Sequence, residues 1–394
     1  LLVPGAPDGM ATFPGPDGLT IIVRNHEVNP NSSGPWGRGA ELLSKVDVSR
    51  IYDAGEGKTP ACGGTTTIVY DTRTGKTVRE FLSLGGTTRN CAGGPTPWGT
   101  WVTCEETVYA AGPDQKKKYV AEKDHGYCFD VPATAEPELT QAVPLKAMGR
   151  FNHEAIAVDA KSGAIYLTED RNDGALYRFL PKTPGKLAEG GRLQALALVD
   201  TKSADTRNWS SGGPTILEGQ KHAVHWIDLD DVEAPKDDLR YRGYEAGAAR
   251  FARGEGMWTG EDGIYFACTS GGRAHAGQIW RYVPSASEGT EAEAAQPGTL
   301  ELFVEPNDVE LVKNADNLTV APWGDLVVCE DRSDEVVRLV GVTPQGKLYT
   351  LGNTPTRGEF AGATFSPDGT TLFVNIQHRG LTLAITGPWE NREG

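Results

Sequence analysis

Asn-His-Glu occurs twice in the sequence, at 25–27 and 152–154, and each copy ends in a carboxylate. More carboxylates stand at the edges of short apolar runs: Glu105 and Glu106, Glu169 and Asp170, Glu255, Asp316, and Glu330 and Asp331. Cys91 occupies a matching edge, in Arg89-Asn90-Cys91-Ala92-Gly93-Gly94, where glycines leave room for close approach. Hard oxygen donors in this number suit Ca2+, and a thiolate among them adds affinity for iron or zinc. Carboxylates gathered without compensation raise one another's pKa and destabilise a fold. Such a group calls for bound cations or for Arg and Lys partners. Arg253, two residues before Glu255, is a side chain able to hold phosphate oxygens through two N–H groups. A salt bridge to the neighbouring Glu is its plain alternative. Neither His26 nor His153 has a second His at the HExxH spacing, which excludes a zincin helix. Both are read as hydrogen-bonding residues behind the ligands.

These residues act together only if the chain brings the edges together, and an internal repeat does this. A polar or acidic start, a short apolar strand, a tight turn ending in Gly and a second apolar strand recur over 91–106, 154–170, 255–270 and 316–331. Weaker copies cover 9–27 and 362–375. Even the turns repeat: Pro97-Trp98-Gly99 matches Pro322-Trp323-Gly324, and Pro16-Asp17-Gly18 matches Pro367-Asp368-Gly369. Asp-Gly and Trp-Gly put glycine where a hairpin turn needs a positive φ. Six hairpins give roughly 65 residues per unit, more than the ~40–45 of a minimal propeller blade, which leaves room for outer strands and insertions. Outer strands are visible at 65–82 and 278–284, and 239–252 reads as a helix. The predicted fold is all-β: a six-bladed β-propeller with short helical and loop insertions, a single domain over 1–394. A seventh blade, or a closure blade shared by both termini, stays open. In each hairpin the first strand crosses the propeller and the second returns. The starts Cys91, Glu154, Glu255 and Asp316 therefore share one mouth with the ends Glu27, Glu105 or Glu106, Glu169 or Asp170, and Glu330 or Asp331, as an axial metal site. Cys104, Cys268 and Cys329 all fall five residues after their blade glycine and read as buried packing residues. Cys62 and Cys128 are left open, paired or free.

Composition removes several function classes. Lys+Arg 38 against Asp+Glu 53 gives a net charge of −15, which repels nucleic acid and acidic membranes. No apolar run reaches the roughly 18 residues of a membrane span. Six cysteines in 394 residues are too few for a disulfide-dense scaffold. No G-x-S-x-G elbow occurs. Gly75-Lys76-Thr77 fails as a phosphate loop because position 70 is Tyr. Lys116-Lys117-Lys118 reads as a solvated loop.

The segments that carry these residues resemble the PhoX-type alkaline phosphatases. They are 25–27, NCAGGPTPWGTWVTCEE at 90–106, GRFNHEAIAVD at 149–159, LTEDRNDGALYRFLP at 167–181, RGEG at 253–256, and DNLTVAPWGDLVVCEDR at 316–332. The resemblance implies a six-bladed, monomeric propeller, exported folded by the twin-arginine route, periplasmic or secreted, and active on small phosphate monoesters in phosphate acquisition. It implies a cofactor of Fe(III) and Ca2+ around a bridging oxide, with a metal-bound oxide or hydroxide as nucleophile. Carried over by position, Cys91 is the thiolate ligand of iron, and Glu27, Glu106, Glu154 and Glu255 are bridging or terminal carboxylates. Arg253 holds the phosphate. Asp316, Asn317, Glu330 and Asp331 match further family motifs and join the metal ligands. The chain is short for this family, which implies a more open site, and it carries no twin-arginine segment, as expected after trimming. Two rivals stand beside this reading: a calcium-dependent lactonase on a six-bladed propeller, needing no thiolate, and a non-catalytic, calcium-stabilised propeller that binds a protein.

Overall fold

Runs rich in Val, Ile, Thr and aromatics, broken every few residues by Gly turns, pair with their nearest neighbours in sequence and build antiparallel meanders. The computed structural model describes residues 1–30, 32–114, 119–209, 215–332, 336–354 and 357–389. Lys116-Lys117-Lys118 lie outside them. Blade 1 is Pro7–Pro14, Thr20–His26, Gly63–Asp71 and Lys76–Thr87; blade 2 is Asn90–Pro95, Thr100–Glu105 and Cys128–Pro132. Blade 3 is His153–Val158, Ile165–Glu169, Leu176–Pro181 and Gly191–Leu198; blade 4 is Gly254–Thr259, Ile264–Cys268, Gln278–Val283 and Thr299–Val304. The strand Lys221–Asp228 joins the outer edges of these two blades into one sheet. Blade 5 is Ala315–Val320, Leu326–Glu330, Val337–Val342 and Leu348–Thr354; blade 6 is Phe360–Phe365, Thr371–Ile376 and Leu381–Thr386. The first strand of each blade packs on that of the next, and Phe360–Phe365 packs on Pro7–Pro14, so the ring closes without a blade shared by the termini.

The blades meet through apolar layers. Between blades 3 and 4, for example, Tyr166, Leu176, Leu196, Phe266 and Trp280 are buried together. Removing a side chain such as Trp280 would cost about 3–5 kcal/mol. On the axis the backbones come closer still. A Cβ on Gly9 would meet Ala92 Cα at 2.6 Å, and one on Gly256 would meet Asn317 Cα at 2.6 Å. Beneath the mouth the axial cavity, lined by Met10, Trp101, Met257 and Leu318 among others, holds only ≈ 20 Å³. That is space for about one water, so the axis is narrow beneath the mouth.

One irregularity recurs in register. In five blades the first strand carries one extra residue against its partner. The extra pairs are Asp8-Gly9, Cys91-Ala92, Glu154-Ala155, Glu255-Gly256 and Asp316-Asn317, at the same step in each blade. A bulge of this kind bends the strand and re-aims a side chain. Blade 6 has its bulge one residue later, and Ala361 stands where the others carry an acid or a thiol.

Two expectations need correction. The helix spans Leu239–Ala246 rather than 239–252. It ends at Gly247, whose φ is +128°, and Phe251 then bridges to Gly174. Cys268 is not equivalent to Cys104 and Cys329. It pairs with Gly254 at the strand end, as Glu105 pairs with Asn90 and Glu330 with Ala315, because the blade 4 second strand is one residue shorter from its turn. All three thiols are buried.

Candidate metal centre

The five bulges deliver Asp8, Cys91, Glu154, Glu255 and Asp316 to one mouth. Their donor atoms fall into three overlapping groups, Asp8–Glu27–Cys91, Cys91–Glu106–Glu154 and Glu154–Glu255–Asp316, each within 4.8 Å. Cys91 Sγ lies 3.6 Å from Asp8 Oδ2. Both oxygens of Glu154 are buried without a hydrogen-bond partner, as are Asp8 Oδ1 and Glu255 Oε1. Arg253 Nη2 lies 3.0 Å from Glu255 Oε1, an ion-pair distance outside hydrogen-bond geometry.

A second tier comes from the residues that follow the second strands: Glu27, Glu106, Asp170 and Asp331. Strand alternation divides each acidic pair between two sides. Glu106, Asp170 and Asp331 turn to the mouth. Glu105, Glu169 and Glu330 turn back into the blades, where polar partners saturate them. Glu105 accepts from Gly126 N (2.8 Å) and binds His125 Nδ1 (2.6 Å); Glu169 accepts from Tyr177 OH (2.8 Å). Glu330 is held by Arg338 Nη2 at 2.6 Å and by Lys313 N at 2.8 Å. The structure thus sets Glu330 apart from the other residues expected at the mouth. Asn317 is also spoken for: its Oδ1 accepts from Gly362 N (2.7 Å) and its Nδ2 donates to Asp316 (3.3 Å), tying blade 5 to blade 6.

Two arginines enter this acidic rim in the same way. Arg89 and Arg253 each stand two residues before a ring donor, with φ of +47° and +57°, a left-handed conformation that non-glycine residues keep only where surroundings enforce it. Arg253 clamps Asp170 through Nε (2.7 Å) and Nη2 (3.0 Å), while Nη1 reaches only Asp331, at 3.8 Å. Arg89 Nη2 bridges Glu27 (2.6 Å) and Glu106, and its Nε donates to the Glu106 carbonyl (3.1 Å). Gln377 closes the rim from blade 6, donating to Asp8 Oδ2 (2.6 Å) and Glu27 Oε2 (2.8 Å). Neither histidine of the repeated Asn-His-Glu points to the mouth. His26 bonds Gly5 O (2.9 Å) and Thr66 Oγ1 (2.8 Å), and His153 Nε2 bonds Gly149 O (3.0 Å). Sequence reasoning missed Asp8, Arg89 and Glu359 in this assembly.

The electrostatics follow from the crowding. Burial, then the neighbouring carboxylates, push Asp8, Glu154 and Glu255 well above the ordinary carboxylate range. Burial and Asp331 raise Asp316 to about 8, and burial with Asp316 raises Glu359 to about 11. The Cys91 thiol is pushed up by burial and by Asp8 and Glu154. Without cations this mouth holds protons, and its orphaned oxygens and its thiol are donors of the kind that metal ions take. A cleft of ≈ 550 Å³ opens beside Glu27, between Asn29, Gln377, His378 and Arg379.

A propeller-like ring with carboxylates and one thiol gathered at one mouth is a scaffold able to hold metal ions. The alkaline phosphatase PhoX family model matches residues 1–380. The chain belongs to that family and is a metal-dependent phosphatase. Among solved structures it is similar to Pseudomonas fluorescens PhoX in complex with vanadate, a transition state analogue. The identity is 19% over 95% of this chain and 84% of that one, with a TM-score of 0.68, a likeness of fold. The periplasmic gluconolactonase PpgL of Pseudomonas aeruginosa (10% identity, 96% and 84% covered) and a putative 6-phosphogluconolactonase of Bacteroides uniformis (11%, 95% and 83%) have TM-scores of 0.42 and 0.40. No curated protein matches the sequence significantly. Family membership sets aside the lactonase and the non-catalytic alternatives.

Proposed function

We propose that the chain hydrolyses small phosphate monoesters at this mouth, with Fe(III) and Ca2+ held by Asp8, Glu27, Cys91, Glu106, Glu154, Glu255, Asp316 and Asp331. The observation that carries the proposal is Glu154, whose two oxygens lie buried and unbonded at the junction of two donor groups. A buried carboxyl without partners holds a proton or a cation, and the meeting of two donor groups at Glu154 favours the cation. The donor chemistry fits both ions: many carboxylate oxygens for calcium, and one thiolate to retain iron. When bound, these ions supply Lewis acidity that offsets phosphoryl charge and acidifies water. The chain's own part is orientation. The Asp170 carboxylate fixes Arg253 through Nε and Nη2, while the Glu106 carbonyl holds Arg89 Nε and the Glu27 and Glu106 carboxylates hold its Nη2, which leaves each Nη1 to meet a phosphate oxygen. Because both guanidinium groups are held before substrate arrives, little ordering remains to oppose binding. Asp170 and Glu106 position these arginines as well as lining the mouth. The narrow axis beneath the donors has room for about one water. A periplasmic or secreted location is part of the proposal and rests on family membership alone.

Elemental analysis of the purified full chain, with p-nitrophenyl phosphate hydrolysis before and after chelation, tests this reading. Iron and calcium are expected to copurify, and activity is expected to fall to background on their removal and return on reloading. Undiminished hydrolysis by protein free of both ions would overturn it.

A further inference from the structure

Blade 2 holds a second group of donors, buried on the far side of its second strand from the axis. Cys104 and Cys128 face each other across the antiparallel pair Thr100–Glu105 and Cys128–Pro132. Their Sγ atoms are 3.5 Å apart, and both thiols are free. His153, the first strand residue of blade 3, brings Nδ1 to 3.3 Å from Cys128 Sγ. All three side chains are fully buried and the three donor atoms lie within 4.8 Å of one another. His153 sits one residue from Glu154 and Cys104 two from Glu106, yet their donor atoms form a group separate from the axial donors.

We infer that Cys104, Cys128 and His153 form a separate buried site for a thiophilic divalent ion of the zinc class. The distances suit it. Tetrahedral zinc at ~2.3 Å from sulfur and ~2.0 Å from nitrogen separates two thiolates by about 3.8 Å and a thiolate from an imidazole nitrogen by about 3.6 Å. The observed separations are a few tenths of an ångström shorter, within side-chain adjustment. A disulfide would need ~2.05 Å. The imidazole is prepared in the manner of a metal ligand. Its Nε2 donates to Gly149 O at 3.0 Å, which leaves the Nδ1 lone pair aimed at the sulfurs. Phe151 stacks on the His153 ring at 3.6 Å, and Tyr177 stacks on Phe151 at 4.4 Å, which fixes the ring plane. The surroundings are apolar, including Val102, Leu145 and Met148. A divalent ion with two thiolates is net neutral and tolerates this environment, and two sulfurs with one imidazole suit zinc rather than calcium. Binding forms two metal–sulfur bonds and one metal–nitrogen bond, breaks two S–H bonds and releases two protons to solvent. The ion would cross-link blade 2 to blade 3 directly behind Glu106 and Glu154.

The test uses the full chain carrying Cys91→Ser, so that no axial thiolate contributes. After metal removal the chain is reloaded with calcium and titrated with Co2+, then Zn2+. A sulfur-to-cobalt charge-transfer band is expected at one equivalent, bleached by zinc, with a zinc-dependent rise in melting temperature. Adding Cys128→Val or, separately, His153→Gln is expected to lower tightly bound zinc by one equivalent and to abolish the melting shift. A Cys91→Ser chain that melts cooperatively but shows neither band nor shift would overturn the site. So would an unreduced, unfolded wild-type chain titrating two thiols fewer than its six cysteines, which would mean a covalent Cys104–Cys128 pair.

Discussion

Asp316→Asn should stabilise the protein without metals and destabilise it with them. The Asp316 carboxyl, buried and next to Asp331, ionises near 8 in the folded, metal-free chain instead of at 3.8. Below pH 3.8 both states hold the proton and the group is neutral in the balance. As pH rises the unfolded chain releases it first, so metal-free stability falls progressively up to about pH 8 and then levels off. At about 1.4 kcal/mol per unit, the displacement bounds this loss at on the order of 6 kcal/mol, half of it reached near pH 6. Asparagine keeps the shape, keeps an oxygen for the bond from Asn317, and carries no charge to ionise. The metal-free variant is therefore expected to match wild type near pH 4 and to melt several degrees above it at pH 8. With iron and calcium restored the order should reverse, since an amide is the poorer ligand. Thermal or urea unfolding of chelated and reloaded protein between pH 4 and 9 reads both signs. A metal-free variant less stable than metal-free wild type at pH 8 would falsify the claim that cations, rather than protein partners, sustain this carboxylate.

Cys91→Ser should lose iron and activity while keeping its circular dichroism and its calcium, read by elemental analysis. Arg89→Ala and Arg253→Ala should each lower kcat/KM for p-nitrophenyl phosphate by roughly 10²-fold, the scale of one lost charge-stabilising donor; unchanged kcat and KM would remove that arginine from the site. His125 is buried between Glu105 (2.6 Å) and Asp53 (3.1 Å). Although burial opposes its charge, these two carboxylates outweigh it and push the imidazolium up to about 9 from 6.5. Its stabilisation is complete below pH 6.5 and lost as pH rises through 9. His125→Asn should therefore cost about 3–5 kcal/mol at pH 6 and less above pH 9, measured by urea unfolding.

The hairpins were legible because turn dipeptides such as Asp17-Gly18 and Trp98-Gly99 have a local cause, and so was the gathering of Glu154, Glu255 and Asp316 at one mouth. The bulge was not, since it is a mismatch between two strands and leaves no mark on either alone. Asp8 escaped for that reason, although Asp8-Gly9 repeats the acid-then-small pattern of Glu255-Gly256. Glu330 and Asp331 could not be separated from the residue string, because one step of register decides which faces the axis. Arg89 carried a usable signal: Arg89-Asn90-Cys91 has the spacing of Arg253-Gly254-Glu255. Cys128 had none, for it meets Cys104 only through strand pairing across a long insertion.

The displaced bulge of blade 6 gives the donor set the outline of a horseshoe. Five sectors present a bulge donor to the centre; the sixth has Ala361 at that step, and Glu359 and Gln377 face the rim from its side. Blade 6 continues into Gln377, His378 and Arg379, which border the cleft beside Glu27. On the proposed reading, the organic tail of an ester is expected to leave over this side, where the cleft opens. That one-sidedness would set the direction of approach.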